Sequence, residues 1–290
     1  VFKIFTIMLS FFMASAVWAG TKITVLQGES PGSIAHEFIN TVVTELKTKY
    51  DTVEVINAGN CTKAVEIYHK FKGENLLFVF YGDHWLSNEL DKHNCGVPIT
   101  QTNLVFLTSQ AQVICTRGNA NADLGSFKNG KTFGFPFPHD FWTEVVKDIN
   151  KNIGSNLQPV PYTTGGKVTT GLLSGEIDWI ATAESRVVPM VQEGRMSCLA
   201  KMGDSDRHFP GIKTMIPKGK FVDFQFMYTA VIKNGSADQL HKDFSAMLKS
   251  GAPLKTQLDS GYFQTNTGTR KDLWKEYLQR REIFRNIYGQ

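Results

Sequence analysis

The sequence predicts an α/β protein large enough for two lobes, and three observations carry that reading. Residues 161–180, PYTTGGKVTTGLLSGEIDWI, compress a strand end, a glycine turn, an amphipathic helix and a second strand into one crossover. Strand-like and helix-like patterns then alternate along the chain, with polar or glycine-bearing loops after the strands. Finally, 290 residues with 42% apolar content can bury a substantial core and divide into two lobes of about 100–150 residues.

In the crossover, Val160 and Tyr162 end a strand, and Thr163, Thr164, Gly165 and Gly166 supply hydroxyl acceptors and a permissive turn backbone. Val168, Leu172 and Leu173 recur at helical spacing, Gly175 is placed to end the helix in a left-handed conformation, and Ile177, Trp179 and Ile180 fit a buried strand. Such turns stand at the carboxyl ends of the strands, where the free N–H groups of a helix N-terminus can receive an anion. An ordinary crossover without a ligand has the same pattern.

From the N-terminal side, residues 22–26 read as a strand, 28–33 as a loop and 34–47 as a helix, with Ser30 or Ser33 able to cap it. Pro31 and Gly32 stiffen that loop and let a guest approach its backbone. Residues 53–57 form a second strand, followed by the turn AGNCTK containing Asn60, and a helix over 64–71. The continuous apolar run 76–81 suits a parallel strand buried on both faces, and Gly82, Asp83, His84 and Trp85 follow it. Strands are expected at 104–108, 112–116, 131–135, 196–200 and 224–232, with helices at 141–153, 237–249, 253–260 and 269–288. Ser236 or Ala237 with Asp238, and Thr269 with Asp272, are the expected starts of two of those helices. The glycine- and asparagine-rich stretch RGNANADLGSFKNGK marks a border, so the first crossing between lobes is placed near Arg117.

Thirty-one basic and twenty-seven acidic residues, spread without long runs, leave no footprint for nucleic acid. Residues 1–19 stand apart: Lys3 precedes a short apolar run ending with Val17 and Ala19 in small-residue cleavage positions, the pattern of a signal peptide. A retained membrane anchor is the alternative. Export to an oxidising compartment gives meaning to four cysteines, Cys61, Cys95, Cys115 and Cys198. Their spacing is too wide for zinc-binding pairs, so neither metal nor cofactor is expected. Three pairings are possible; Cys61 with Cys95 and Cys115 with Cys198 is favoured, and free buried thiols remain the alternative.

The order of motifs resembles the substrate-binding proteins of tripartite tricarboxylate transporters. Pro161, Tyr162, Gly165, Gly166, Leu172, Leu173, Gly175 and Asp178 match that family's P-Y-x-G-G, helix and L-L-x-G-x-x-D segment. Gly194, Arg195, Leu199, Ala200, Arg207, Pro210 and Thr214 match the run that follows, and Pro31, Gly32 and Ser33 resemble its P-G-G loop. The resemblance implies an α/β, two-lobed periplasmic-binding-protein-like fold with two hinge crossings and a ligand cleft between the lobes. Residues 20–117 and 224–290 would form the first lobe and 118–223 the second. It also implies a periplasmic monomer that captures a small organic acid and delivers it to membrane permease subunits. By position, the ligand carboxylate would be held by residues 30–33 and, across the cleft, by 135–140 with 163–165. The candidate ligand-binding set is Ser30, Gly32, Ser33, Asn60, Gly82, Asp83, His84, Phe135, His139, Asp140, Thr163, Thr164, Gly165 and Glu184.

The match departs in two places. His36 and Asn40 stand where the family usually has Asp and Arg, and FPFPHD replaces a loop usually rich in glycine and serine. Prolines remove N–H donors, and Asp140 adds negative charge near a helix N-terminus. With Glu29, Asp83, Asp140 and Glu184 on cleft loops, an amino acid or another ligand with a positive group is the alternative; an aromatic acid is a further one, given Phe135, Phe137, Trp142 and Trp85. Catalysis would fall to His139 beside Asp140 or His84 beside Asp83, but no nucleophile elbow, metal-ligand spacing or phosphate loop accompanies them. No covalent chemistry is therefore expected. An exported interaction protein, the third class, would need a large exposed apolar face.

Overall fold

A computed structural model describes residues 21–29, 31, 33–82, 95–118, 124–136, 140–203, 213–214, 225–249, 251–261 and 263–288. Two six-stranded sheets carry the chain. In the first, β1 (Lys22–Gln27), β2 (Thr52–Asn57) and β3 (Leu76–Tyr81) run parallel in the order β2-β1-β3, linked by α1 (Ile34–Leu46) and α2 (Cys61–Lys70). β11 (Phe226–Lys233) continues the sheet antiparallel to β3, followed by β4 (Leu104–Gln110) and the short β12 (Gln264–Thr265).

The second sheet repeats the plan. β6 (Thr132–Pro136), β7 (Gln158–Tyr162) and β8 (Trp179–Ala183) run parallel in the order β7-β6-β8, linked by α3 (Asp140–Ile153) and α4 (Gly165–Ser174). β5 (Gln112–Arg117) lies antiparallel to β8, then come β9 (Met196–Met202) and β10 (Lys213–Thr214). Helix α5 (Glu184–Gln192) joins β8 to β9. The remaining helices, α6 (Ala237–Met247), α7 (Pro253–Ser260) and α8 (Arg270–Tyr288), follow β11.

The first crossing differs from the sequence expectation. β5 belongs to the second sheet, so the chain changes sheets at Ala111, between β4 and β5, rather than near Arg117. One residue is too short to turn an antiparallel hairpin, so two abutting apolar strands here must diverge. The return falls between Thr214 and Phe226. Helix α2 also starts three residues earlier than expected, because Asn60 caps it by accepting from Lys63 N at 2.9 Å.

Both expected disulfides form: Cys61 with Cys95, and Cys115 with its directly opposite strand partner Cys198. One face of the first sheet packs on α1, α6 and α7 through Phe38, Val42, Phe106, Phe244 and Leu254. The second sheet packs on α4 and α5 through Val168, Leu172, Ile180 and Val187. A third, larger cluster includes residues of both sheets and of α8. Phe284 of α8 stacks on Phe141 of α3 at 6.2 Å, so the C-terminal helix packs against the second sheet's helix as well as the first sheet.

Candidate functional site

A 2-1-3 strand order places a topological switch beside the first strand, and ligands of open α/β sheets bind in the crevice outside the carboxyl ends at that point. In the first sheet the switch lies between β1 and β3, framed by Gly28, Glu29 and Ser33 and by Tyr81 and Gly82. In the second it lies between β6 and β8, framed by the starts of α3 and α5.

The loop after β1 is seated on the start of α2: a Cβ on Gly28 would stand 2.9 Å from Asn60 O and Cys61 Cα. Ser33 is buried and caps α1, its Oγ accepting from His36 N at 3.1 Å, while His36 Nδ1 lies 3.1 Å from Gln27 Oε1. Between them, Glu29 is only 6% exposed and has no hydrogen-bond or ionic partner among the described residues. Burial raises its carboxyl to about 8. Gly82 is buried against Met227 and Thr229, which leave no room for a side chain.

An aromatic run joins the two strand ends. Tyr81 meets Phe226 edge-on at 6.3 Å, Phe226 stacks on Trp142 at 5.5 Å, and Trp142 stacks on Phe135 at 6.0 Å. Trp142 and Phe135 are almost fully buried, so Phe135 is part of the core and offers no surface to a ligand. Gln110 Nε2 donates to Ser185 Oγ at 3.1 Å and to Gly261 O, tying the end of β4 to the first turn of α5.

On the second sheet Thr164 caps α4, its Oγ1 accepting from Lys167 N at 3.3 Å, and Thr163 is exposed beside it. Arg186, in the first turn of α5, lies along this helix start: a Cβ on Gly165 would come 3.1 Å from its Nε, and one on Gly166 3.6 Å from its Nη1. The guanidinium is half-buried and makes no ion pair or hydrogen bond among the described residues. A cation beside the N-terminus of a ten-residue helix makes this an anion-receptive point on the second sheet. Glu184, at the head of α5, is buried with 1% exposure.

Of the sequence-predicted set, Ser30, Gly32, Asp83, His84 and His139 lie outside the described residues; Asp140 opens α3. Ser33 and Gly82 lie at the first switch, Asn60 caps α2 beside Gly28, and Thr163, Thr164, Gly165 and Glu184 lie at helix starts of the second sheet. Sequence reasoning missed Arg186. It singled out Arg195, which is exposed and pairs with Glu193 at 3.1 Å. Among the described residues no group of three or more His, Cys, Asp or Glu could hold a metal ion.

No family model and no curated protein matches the sequence. Solved structures do match the fold. The chain is similar to a TctC solute-binding protein from Polaromonas at 13% identity and TM-score 0.67, covering 94% of this chain and 99% of that one. It is similar to MatC from Rhodopseudomonas palustris, solved with bound malate, at 15% identity and TM-score 0.71, covering 92% and 99%. An R. palustris protein solved with adipate gives 12% identity and TM-score 0.71, covering 94% and 98%. The fold is that of a two-lobed solute-binding protein. Each sheet of this fold carries a 2-1-3 switch point, and the aromatic run from Tyr81 to Phe135 connects the strand ends of the two sheets.

Proposed function

We propose that the protein is a periplasmic solute-binding protein of the tripartite tricarboxylate transporter type, which captures a small organic acid and delivers it to a membrane permease. The observation that carries the carboxylate is Arg186: a half-buried cation without an ionic partner among the described residues, held against the N-terminus of α4. The malate and adipate named for two structural neighbours belong to the same ligand class. Residues 1–19 support export, and two disulfides suit an oxidising compartment.

The work is binding, without covalent chemistry or cofactor. An acid that touches loops of both sheets does so only when the crevice is closed, so it favours the closed form, which the permease recognises. Proposed lobes follow the sheets, with crossings at Ala111 and between Thr214 and Phe226.

The test is a thermal-shift screen of purified, ligand-free protein against di- and tricarboxylates, aromatic acids and amino acids. A true ligand at a hundred times its Kd adds about 2.7 kcal/mol and raises the melting point by several degrees. No shift with any carboxylate would end this reading.

A further inference from the structure

We propose that Glu29 is a ligand-contacting group on the first sheet's side, and that its protonated carboxyl donates a hydrogen bond to a carboxylate oxygen of the bound acid, so that the acid binds only the protonated form. The proposal rests on the carboxylate reading above and adds to it a residue and a linkage.

Three features of Glu29 point to a partner from outside the chain. It stands two residues after β1, at the switch point where open α/β sheets take their ligands. It is buried without any partner among the described residues, whereas buried carboxyls are ordinarily hydrogen-bonded or paired. Its oxygens are not among the described side-chain atoms that are both sealed from solvent and without a hydrogen-bond partner, which are Tyr162 Oη, Thr229 Oγ1 and Gln257 Oε1. The little exposure it retains therefore reaches the carboxyl.

The surroundings decide which chemistry that partner has. Among the described residues at the ends of the elements that meet this loop, the titratable groups are His36 and Glu37 in the first turn of α1, Lys63 in the first turn of α2, Tyr81 at the end of β3 and Tyr228 beside it on β11. His36 is engaged by Gln27, Tyr81 and Tyr228 are hydrogen-bonded to each other at 3.1 Å, and Glu37 and Lys63 are exposed. None of them supplies a cation to ionise the carboxyl, and burial alone raises it to about 8. At neutral pH the crevice therefore presents a carboxyl O–H, a strong donor to an anionic oxygen. A bound carboxylate beside it favours the protonated form further.

Calorimetric titration of malate and adipate from pH 6 to 10 tests this on the wild type, Glu29→Gln, Glu29→Ala and Arg186→Gln. In the wild type the Kd stays level to about pH 7, then rises, approaching tenfold per pH unit above about 8 as the carboxyl loses its proton. Glu29→Gln, which keeps an N–H donor, binds within a few-fold of wild type at pH 7 and loses the pH slope. Glu29→Ala binds at least about tenfold more weakly, also without a slope. Arg186→Gln weakens binding but keeps the slope. A level wild-type profile, or the same slope in Glu29→Gln, overturns the proposal while leaving carboxylate capture intact. Affinity that rises with pH for an amino acid, where malate and adipate fail, overturns it in favour of an ionised Glu29 holding an ammonium group. If neither acid binds any folded variant at any pH, the carboxylate reading falls and takes this proposal with it.

Discussion

Arg186 on α5 and Gly165 on α4 are in near contact: an added Cβ on the glycine would come 3.1 Å from the arginine Nε. The two residues stand at the starts of different helices, and only a small residue at 165 lets the guanidinium lie along the helix start. Arg186→Ala should weaken binding of an organic acid by about 10- to 100-fold, the usual worth of a hydrogen bond to a charged group. The melting point of the free protein should barely move, because no described residue depends on Arg186 for an ion pair. Gly165→Ala should weaken binding less, by displacing the side chain. Titration calorimetry beside a thermal melt separates these outcomes.

The buried Glu29 also sets how stability depends on pH. Its folded value, about 8, lies above the ordinary 4.5, so between those values the folded chain keeps a proton that the unfolded chain has lost. Stability is then full below pH 4.5 and falls as pH rises towards 8, by at most about 1.4 kcal/mol per unit. Urea unfolding at pH 5, 6, 7 and 8 should show the decline. Glu29→Gln should remove this contribution and be more stable than wild type at pH 8; an unchanged slope in the variant would remove Glu29 as its source.

Much of this was legible in the sequence where the signal was local. The crossover of residues 161–180 forms as read: Thr164 caps α4, Gly175 ends it at φ +82°, and Trp179 begins β8. Thr269 and Asp272 cap α8 reciprocally, Thr269 N donating to Asp272 Oδ2 at 2.8 Å and Asp272 N to Thr269 Oγ1 at 3.3 Å. Arg186 was not legible, because its meaning depends on α5 lying beside α4. Ala111 was not either: the polar stretch after β5 has the composition of a border, whereas the crossing itself is one residue between two apolar strands. Phe226 likewise reads as one more apolar strand residue until it is found between Tyr81 and Trp142.

Asp178, part of the segment that resembles the transporter family, has a structural role. Its Oδ2 accepts from Lys131 N at 2.8 Å, Thr132 N at 3.0 Å and Thr132 Oγ1 at 3.0 Å, fastening the entry of β8 to the start of β6. Desolvation opposes its ionisation, but these hydrogen bonds outweigh it and hold the carboxyl below its ordinary value. The stability it contributes is therefore present above the ordinary carboxylate range and lost as pH falls through the depressed folded value. Asp178→Ala should cost about 1 kcal/mol at pH 7, a modest amount because the site is exposed and water can replace part of the bonding. Its melting point should approach that of wild type in strong acid; a deficit as large at low pH would point to packing instead.

The two disulfides should differ less than their chain separations suggest. Cys61–Cys95 closes 34 residues and Cys115–Cys198 closes 83, which in a loop-entropy account separates them by only about 0.8 kcal/mol. Their settings differ more. Cys115 is fully buried on β5, the strand that enters the second sheet straight after the crossing at Ala111, and the bond fixes it to β9. Cys61 instead opens α2 beside Gly28, so its bond ties down the support of the loop carrying Glu29. Replacing Cys115 and Cys198 together by Ala should therefore lower stability by about 2–4 kcal/mol with ligand affinity preserved in whatever remains folded. Replacing Cys61 and Cys95 should cost a similar amount and also weaken binding, by freeing the loop beneath the ligand. Paired thermal melts and titrations of the two double variants check this, and equal affinities would show that the loop is held by its own packing.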